Sequence, residues 1–219
     1  DLKFSEDSVK EVIKTLLLPL WNAYSFFVTY ANIDGYEPSE TPYDKLTNPL
    51  DKWIISESNH LVDEVTKAFD SYDVQAVCQA IVAFVDDLNN WYIRRSRRRF
   101  WKSESDSDKK SAYDTLYKVL MTFIKVSCPV IPFVTEEIYQ NLRSDDMPES
   151  IHLCSFPVYN ENERDGKLEK EMNLVMKAVA MGRSLRANSN LKVRQPLSVY
   201  FIVDRDDDTS LLHTSDVLN

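Results

Sequence analysis

Apolar residues along the chain recur mostly at helical spacing, and their pattern predicts six helices. The first helix follows the i, i+3, i+4 rule from Val9 to Val28, with Ser8 and Glu11 as a capping box at its start. Pro19 lies inside this pattern, so we expect a kink or an unpaired carbonyl there.

The second and third helices follow a loop at 32–48 that is rich in Asp, Gly, Pro, Ser and Thr. The second begins at Asn48-Pro49, a capping residue followed by proline, and ends near Ser71. The third runs from Val74 to about Lys102. Its first half is apolar nearly all round, which indicates a helix buried among others, whereas its second half is basic.

The rest of the chain predicts a change of architecture. A fourth helix ends at the break over 128–132, a fifth runs from Pro132 to Arg143, and a sixth covers 172–187. Residues 151–156 suggest a short extended segment, and 197–203 alternate like a strand. We therefore expect an all-α helical bundle over 1–145, a linker over 146–170, and the start of a small α/β junction element over 171–219.

Composition excludes several classes of site. Three glycines among 219 residues leave no Gly-rich phosphate loop. Three widely spaced cysteines without a C-x-x-C pair fit reduced cytoplasmic thiols, and three scattered histidines predict no metal site. No apolar run approaches the roughly 18 residues of a membrane span, so we expect no membrane contact. The chain begins at Asp1 without methionine and is interpreted as a piece of a longer protein.

The strongest local signal is a basic run in an acidic chain whose formal net charge is −9. Between Arg94 and Lys102 lie six positive charges and no acid. On a helical wheel one face carries Ile93, Ser96 and Phe100, and the opposite side carries Trp91, Arg94, Arg95, Arg98 and Arg99. Such a face suits a polyanion such as RNA. The residues leave open a second interpretation, in which the arginines pair with acidic groups of the chain or of a protein partner.

The segment 88–101, which contains this run, resembles the signature of the anticodon-binding helical bundle of isoleucyl-tRNA synthetases, in the form typical of eukaryotic cytosolic enzymes. Four further segments resemble that family in order and spacing, and the resemblance covers about residues 7–203. These segments are 18–27, 129–139, 151–157 and 192–197.

This resemblance implies a recognition domain that positions tRNA(Ile) for ATP-dependent aminoacylation by a separate catalytic domain. The His-Ile-Gly-His-like and Lys-Met-Ser-Lys-Ser-like strings of class I catalytic domains do not occur here, and the family's editing domain is also missing. The chain alone should therefore be inactive and hold no cofactor, while the parent enzyme uses ATP and Mg²⁺. We expect a cytoplasmic monomer that docks on its catalytic domain.

The resemblance and the basic residues together give the candidate tRNA contacts. In the bundle these are Asn22, Trp91, Arg94, Arg95, Arg98 and Arg99, and in the junction element they are Arg183, Arg186, Lys192 and Arg194. Arginines suit phosphates, and flat or amide side chains suit unstacked bases. The arginine helix could instead brace against the catalytic domain. The competing function is a non-enzymatic helical bundle whose arginine face binds an acidic protein.

Overall fold

A computed structural model of the chain describes residues 5–102 and 106–197. Within these ranges the fold is all-α, as the sequence predicts, and contains no strand. The α-helices are α1 Glu6–Val12, α2 Leu18–Asp34, α3 Pro49–Asp70, α4 Val74–Asp87, α5 Arg94–Trp101, α6 Asp106–Ser127, α7 Pro132–Leu142 and α8 Gly166–Asn188. Short 3₁₀ turns occur at Tyr43–Lys45, Ile151–Leu153 and Glu161–Glu163.

Helix starts follow the capping residues of the sequence in two of three cases. Asn48 caps α3 by accepting a hydrogen bond from the Leu50 N–H at 2.9 Å. Asp73 likewise caps α4. The predicted capping box at Ser8 is wrong, because α1 begins earlier and Ser5 accepts the Ser8 N–H at 3.1 Å.

Two π-helical turns interrupt the long helices. The first, Ile13–Leu17, joins α1 to α2, and the Leu18 N–H donates to the Ile13 carbonyl five residues back. It lies directly before Pro19, whose ring nitrogen has no proton to donate, so the predicted disturbance takes the form of a widened turn. The second, Leu88–Ile93, joins α4 to α5.

The first helix is longer than the sequence pattern predicts. Glu6–Asp34 forms 29 continuous helical residues, which by length and composition alone could cross a membrane. The core helix of a bundle passes the same test, although only 28% of the apolar window is buried. One face of the helix contributes to the core, because Leu20, Ala23 and Phe27 are each at most 3% exposed.

The core lies where α3 packs against both α4 and α6. The largest side chains with almost no exposure include Trp53, Tyr92 and Phe123. Phe84 of α4 stacks on Phe123 of α6 with ring centroids 5.7 Å apart. This burial stabilises the bundle because apolar surface leaves water.

The chain divides into two compact units between Arg164 and Asp165. This differs from the predicted linker at 146–170, whose first part packs on the bundle: the Tyr139 hydroxyl donates to the Pro148 carbonyl at 2.8 Å. Residues 151–153 form a 3₁₀ turn where we expected an extended segment. The sixth predicted helix is α8, which begins earlier, at Gly166. Except for Leu197, the predicted strand at 197–203 lies outside the described residues.

Candidate functional site

A groove of about 740 Å³ runs along the surface of the bundle between the α1–α2 helix and the α4–α5 helix. Its lining is mostly polar, and it includes two of the predicted contacts, Asn22 and Arg94. The full lining is Thr15, Pro19, Asn22, Ser25, Phe26, Thr29, Tyr30, Asp86, Asn89, Asn90, Arg94 and Arg97.

The two helices that form the groove run in the same direction. At one end, α4 contacts the π turn Ile13–Leu17. Further along, the Phe26 ring lies 5.0 Å from the Phe100 ring, and Tyr30 lies 6.0 Å from Trp101. Asp86 therefore lies at one end of the groove and Arg97 near the other, since successive residues advance along a helix axis.

Both groove walls contain a π-helical turn. Thr15 comes from the first turn, and Asn89 and Asn90 come from the second. In the second turn the Asn89 side chain donates to the Val85 carbonyl at 2.9 Å, and the Arg94 N–H bonds the Asn89 carbonyl. Single π turns often mark functional sites, because they point side chains away from the ordinary helical positions.

The cationic part of the groove is formed by Arg94 and Arg97, both exposed. The Arg97 guanidinium lies 5.9 Å from the centre of the Phe26 ring. Within the described part of the chain, neither arginine forms an ion pair, and the Asn22 amide has no protein hydrogen-bond partner. The groove therefore presents free donors for an anion and a free amide for a polar ligand.

The acidic end of the groove is formed by Asp86, which accepts a hydrogen bond from the Asn90 amide at 2.6 Å. Next to it, the half-buried Asp87 is perturbed: burial, and secondly the charge of Asp86, raise its pKa to about 6. The groove is thus polarised along its length, with acceptors at one end and guanidinium groups towards the other.

Arg99 differs from the prediction because its side chain is only 12% exposed. Its guanidinium donates to both carboxylate oxygens of Asp51 at 2.7 Å and to the Asp108 carboxylate at 2.7 and 2.9 Å. Tyr92 donates to the same Asp51 at 2.8 Å. The wheel placed Arg99 outside, but it lies seven residues after Tyr92 and so shares its buried side. Because its guanidinium already donates to these carboxylates of the bundle, Arg99 is not available to a ligand.

The remaining predicted contacts of the bundle lie outside the groove. Arg95 and Arg98 are exposed and, among the described residues, have no ion-pair partner, whereas Trp91 is half-buried. Ile93, Ser96 and Phe100 are buried, as the wheel predicts. The structure therefore divides the arginine run into a groove pair, an outer pair and one buried residue.

The second basic group lies in the second compact unit. Arg183, Lys192 and Arg194 are exposed. Arg186 is different, because its guanidinium donates to the carbonyls of Lys192 and Gln195 at 3.0 and 2.8 Å. These bonds hold the segment after α8 against that helix, which gives Arg186 a structural role.

Sequence reasoning missed the groove residues Arg97, Asn89 and Asn90. Arg97 belongs to the basic run but falls outside the outer wheel face, and the two asparagines precede it. The available signal was the asparagine pair, which is separated from the basic helix by three residues. The widened π turn that places these side chains beside Asn22 is not visible in apolar periodicity.

Glu136, near the start of α7, has a structural role. Glu136 accepts hydrogen bonds from the Ser150 hydroxyl at 3.0 Å and the Ile151 N–H at 2.9 Å. Although burial opposes it, these bonds and the Gln140 amide lower the pKa of Glu136. The ionised carboxylate therefore fastens the turn after α7.

Comparison with known proteins gives the same family as the sequence resemblance. Residues 51–201 match the family model described as the anticodon-binding domain of tRNA ligase. The chain is similar to the isoleucine–tRNA ligase of Treponema denticola, with 52% identity over 215 residues that cover 93% of this chain and 20% of the relative. The corresponding ligase of Dehalococcoides mccartyi is 52% identical over 204 residues, covering 92% of this chain and 20% of that enzyme.

A third relative is the isoleucine–tRNA ligase of Protochlamydia amoebophila, with 49% identity over 206 residues, 94% of this chain and 20% of the enzyme. The chain spans about a fifth of the length of these curated relatives. All three organisms are bacteria, so these matches do not support the predicted eukaryotic cytosolic form. A helical bundle with a polar, arginine-lined groove and a family match over residues 51–201 leads to one conclusion: the chain belongs to the anticodon-binding domain family of tRNA ligases.

Proposed function

We propose that this domain binds isoleucine tRNA and positions it for aminoacylation by the catalytic part of a longer isoleucine–tRNA ligase. The supporting observation is the groove between the α1–α2 and α4–α5 helices. Its arginines can neutralise phosphates, while the amides of Asn22, Asn89 and Asn90 can meet the edges of unstacked bases.

The contacts that we propose for the bundle are Arg94, Arg97 and Asn22 in the groove, with Arg95, Arg98 and Trp91 on the outer face. Trp101 is 53% exposed near Tyr30 and offers a flat surface for stacking. In the second unit we propose Arg183, Lys192 and Arg194.

The chemistry of aminoacylation belongs to the rest of the enzyme in this proposal. In this proposal the catalytic part holds ATP and Mg²⁺. The sequence has no Gly-rich phosphate loop. We further propose a monomeric, cytoplasmic enzyme whose catalytic part docks on this domain. The proposal that the parent enzyme is of the eukaryotic cytosolic type is supported only by the resemblance of the segment 88–101.

The test measures affinity for isoleucine tRNA against salt concentration in the full-length ligase that carries this domain. Replacing Arg94 and Arg97 by alanine should weaken binding and flatten the slope of log affinity against log salt by roughly 0.7–0.9 for each phosphate that the variant no longer neutralises. The variant that replaces Arg95 and Arg98 serves as a comparison and not as a silent control, because we also propose this outer pair as tRNA contacts. A smaller loss of affinity in this variant than in the Arg94 and Arg97 variant supports the groove as the main contact.

The competing function, an arginine face that binds an acidic protein, gives a different outcome. In that case an acidic polypeptide of matched charge should compete with tRNA at equal concentration, and the anticodon sequence should not matter. Unchanged tRNA affinity and salt slope in the Arg94 and Arg97 variant would contradict the proposed groove.

A further inference from the structure

Two cysteines and a histidine line a cavity of about 330 Å³ that shares no lining residue with the groove. Cys128 follows the last residue of α6 and is 9% exposed. Cys154 follows the 3₁₀ turn Ile151–Leu153 and is half-buried. His152, in that turn, is exposed to solvent. Side chains from two separate segments of the chain thus line one small space.

The contacts of the two thiols are specific. The Cys128 sulfur lies 3.2 Å from Nδ1 of His152. The Cys154 thiol donates to the Tyr139 hydroxyl at 3.3 Å. Burial, and to a smaller extent the charges of Glu136 and Cys154, raise the pKa of the Cys128 thiol. Cys128 and Cys154 line the same cavity, and the Cys128 thiol lies beside a histidine nitrogen that can accept its proton.

We propose that Cys128 and Cys154 are a redox-sensitive pair that hydrogen peroxide converts to an intramolecular disulfide, with His152 accepting the thiol proton. Disulfides of this kind in reducing compartments are usually transient. The proposal is independent of tRNA binding.

The chemistry balances in two steps. His152 takes the Cys128 proton, the thiolate sulfur attacks one peroxide oxygen, and the O–O bond breaks as the S–O bond forms. The leaving hydroxide takes up the proton from His152, which gives a sulfenic acid and water. The Cys154 thiol sulfur then attacks the Cys128 sulfur, and the S–O bond breaks as the S–S bond forms. The leaving hydroxide takes up the Cys154 proton and becomes a second water. Two thiols are oxidised and one peroxide is reduced to two waters.

The fold gives this bond a structural consequence. A disulfide holds its two Cα atoms about 4.4–6.8 Å apart, so the bond would keep the segment at Cys154 at that distance from the end of α6. That turn is already fastened to α7 through Glu136. Oxidation would therefore join the end of α6 covalently to the segment that follows the bundle.

The third cysteine provides an internal control. Cys78 lies exposed on α4, and within the described residues no cysteine or histidine pairs with it. Peroxide can oxidise Cys78 on its own, but it should not form an intramolecular disulfide.

Peptide mapping of the intact chain tests the proposal directly. Trypsin cuts after Lys125, Arg143 and Arg164, so the two cysteines fall in separate peptides, 126–143 and 144–164. After peroxide treatment and alkylation of the remaining thiols, we expect these peptides as one species that has lost two hydrogens and separates on reduction. The species should persist in Cys78→Ser and disappear in Cys154→Ser. Recovery of both peptides alkylated, or oxidised separately, while Cys78 has reacted would overturn the proposal.

The rate of disulfide formation in a variant without His152 tests the role of this histidine. His152→Gln should slow disulfide formation several-fold at neutral pH, whereas His60→Gln, which alters a histidine on α3, should leave the rate unchanged. An unchanged rate in His152→Gln would overturn the assignment of His152 as proton acceptor.

Discussion

The guanidinium of Arg99 donates to both carboxylate oxygens of Asp51, each at 2.7 Å, at a point where Asp51 has no solvent exposure. The pair joins the start of α3 to the basic helix α5, and Asp108 of α6 accepts further bonds from the same guanidinium. Burial opposes the charge, but the bonds to Asp51 and Asp108 raise the pKa of Arg99 above its ordinary value. Arg99 thereby fixes the helix from which its neighbours reach the groove.

Replacing Arg99 by alanine should lower the free energy of unfolding by about 3–5 kcal/mol, because Asp51 would stay buried without its partner. Denaturant unfolding followed by circular dichroism measures this change. Arg98→Ala is the matched control, since Arg98 is exposed on the same helix and its removal should change stability by less than about 0.5 kcal/mol. Equal effects of the two variants would contradict the structural assignment of Arg99.

Asn22 should affect the sequence preference of tRNA binding more than its salt dependence. Asn22→Ala removes an amide that can bond a base edge, at a cost of roughly 1–3 kcal/mol in discrimination, but removes no charge. Binding of the isoleucine anticodon stem-loop and of a stem-loop with a scrambled anticodon, each at several salt concentrations, measures both quantities. A decrease in affinity that is equal for both RNAs would argue against base contact by Asn22.

The ionised carboxylate of Asp87 should lower the free energy of unfolding at neutral pH. Its pKa is raised to about 6 in the folded state by burial and by Asp86, so the folded chain binds more protons than the unfolded chain between about pH 4 and pH 6. Stability from this group is therefore present below about pH 4 and is lost as pH rises through 6.

Asp87→Asn should consequently raise the free energy of unfolding at pH 7 by about 1–2 kcal/mol, after allowance for solvent screening. It should also flatten the pH dependence between pH 4 and 6, as measured by thermal unfolding across that range. Asp70→Asn, an exposed acid at the end of α3, is the control and should change little. A destabilised Asp87→Asn at pH 7 would show that the charge is favourable.

Asp114 should be needed to hold the loop after α2. Its buried carboxylate accepts hydroxyl hydrogen bonds from Tyr36, Ser39 and Thr41 at 2.6–2.7 Å. Burial opposes ionisation, but these bonds together with Lys110 lower the pKa of Asp114. Its contribution to stability is therefore present above about pH 4 and is lost as pH falls through the lowered value.

Asp114→Ala should cost about 2–3 kcal/mol of stability above pH 4, because it removes three hydroxyl hydrogen bonds to a charged, buried carboxylate. The free energy of unfolding of the variant should also decrease less than that of the parent chain when the pH falls from 7 to 3. Asp44→Ala, which changes an exposed acid in the same loop region, should alter neither quantity. Unfolding curves at pH 3 and pH 7 separate these cases, and equal decreases in stability at both would contradict the role of the ionised carboxylate.

The local sequence determined most of the secondary structure. Asn48 and Asp73 begin helices where predicted, since a cap needs only its own side chain and the next few backbone amides. The buried positions Ile93, Ser96 and Phe100 also follow from helical periodicity alone. The basic run and its resemblance to a known family together predict RNA binding, because both depend on residues that are neighbours in sequence.

Only the tertiary structure shows which arginines line the groove and which one has a structural role. Arg97 and Arg99 lie two residues apart in one basic run, yet Arg97 opens into the groove and Arg99 is buried against Asp51. Helical periodicity puts Arg99 on the side of Tyr92, but its partner Asp51 lies 48 residues away in sequence and is identified only by the contact between α3 and α5. The contact between Cys128 and His152 likewise joins residues that are distant in sequence. Such contacts are set by how helices pack after they form, because packing joins side chains whose separation in sequence carries no pattern.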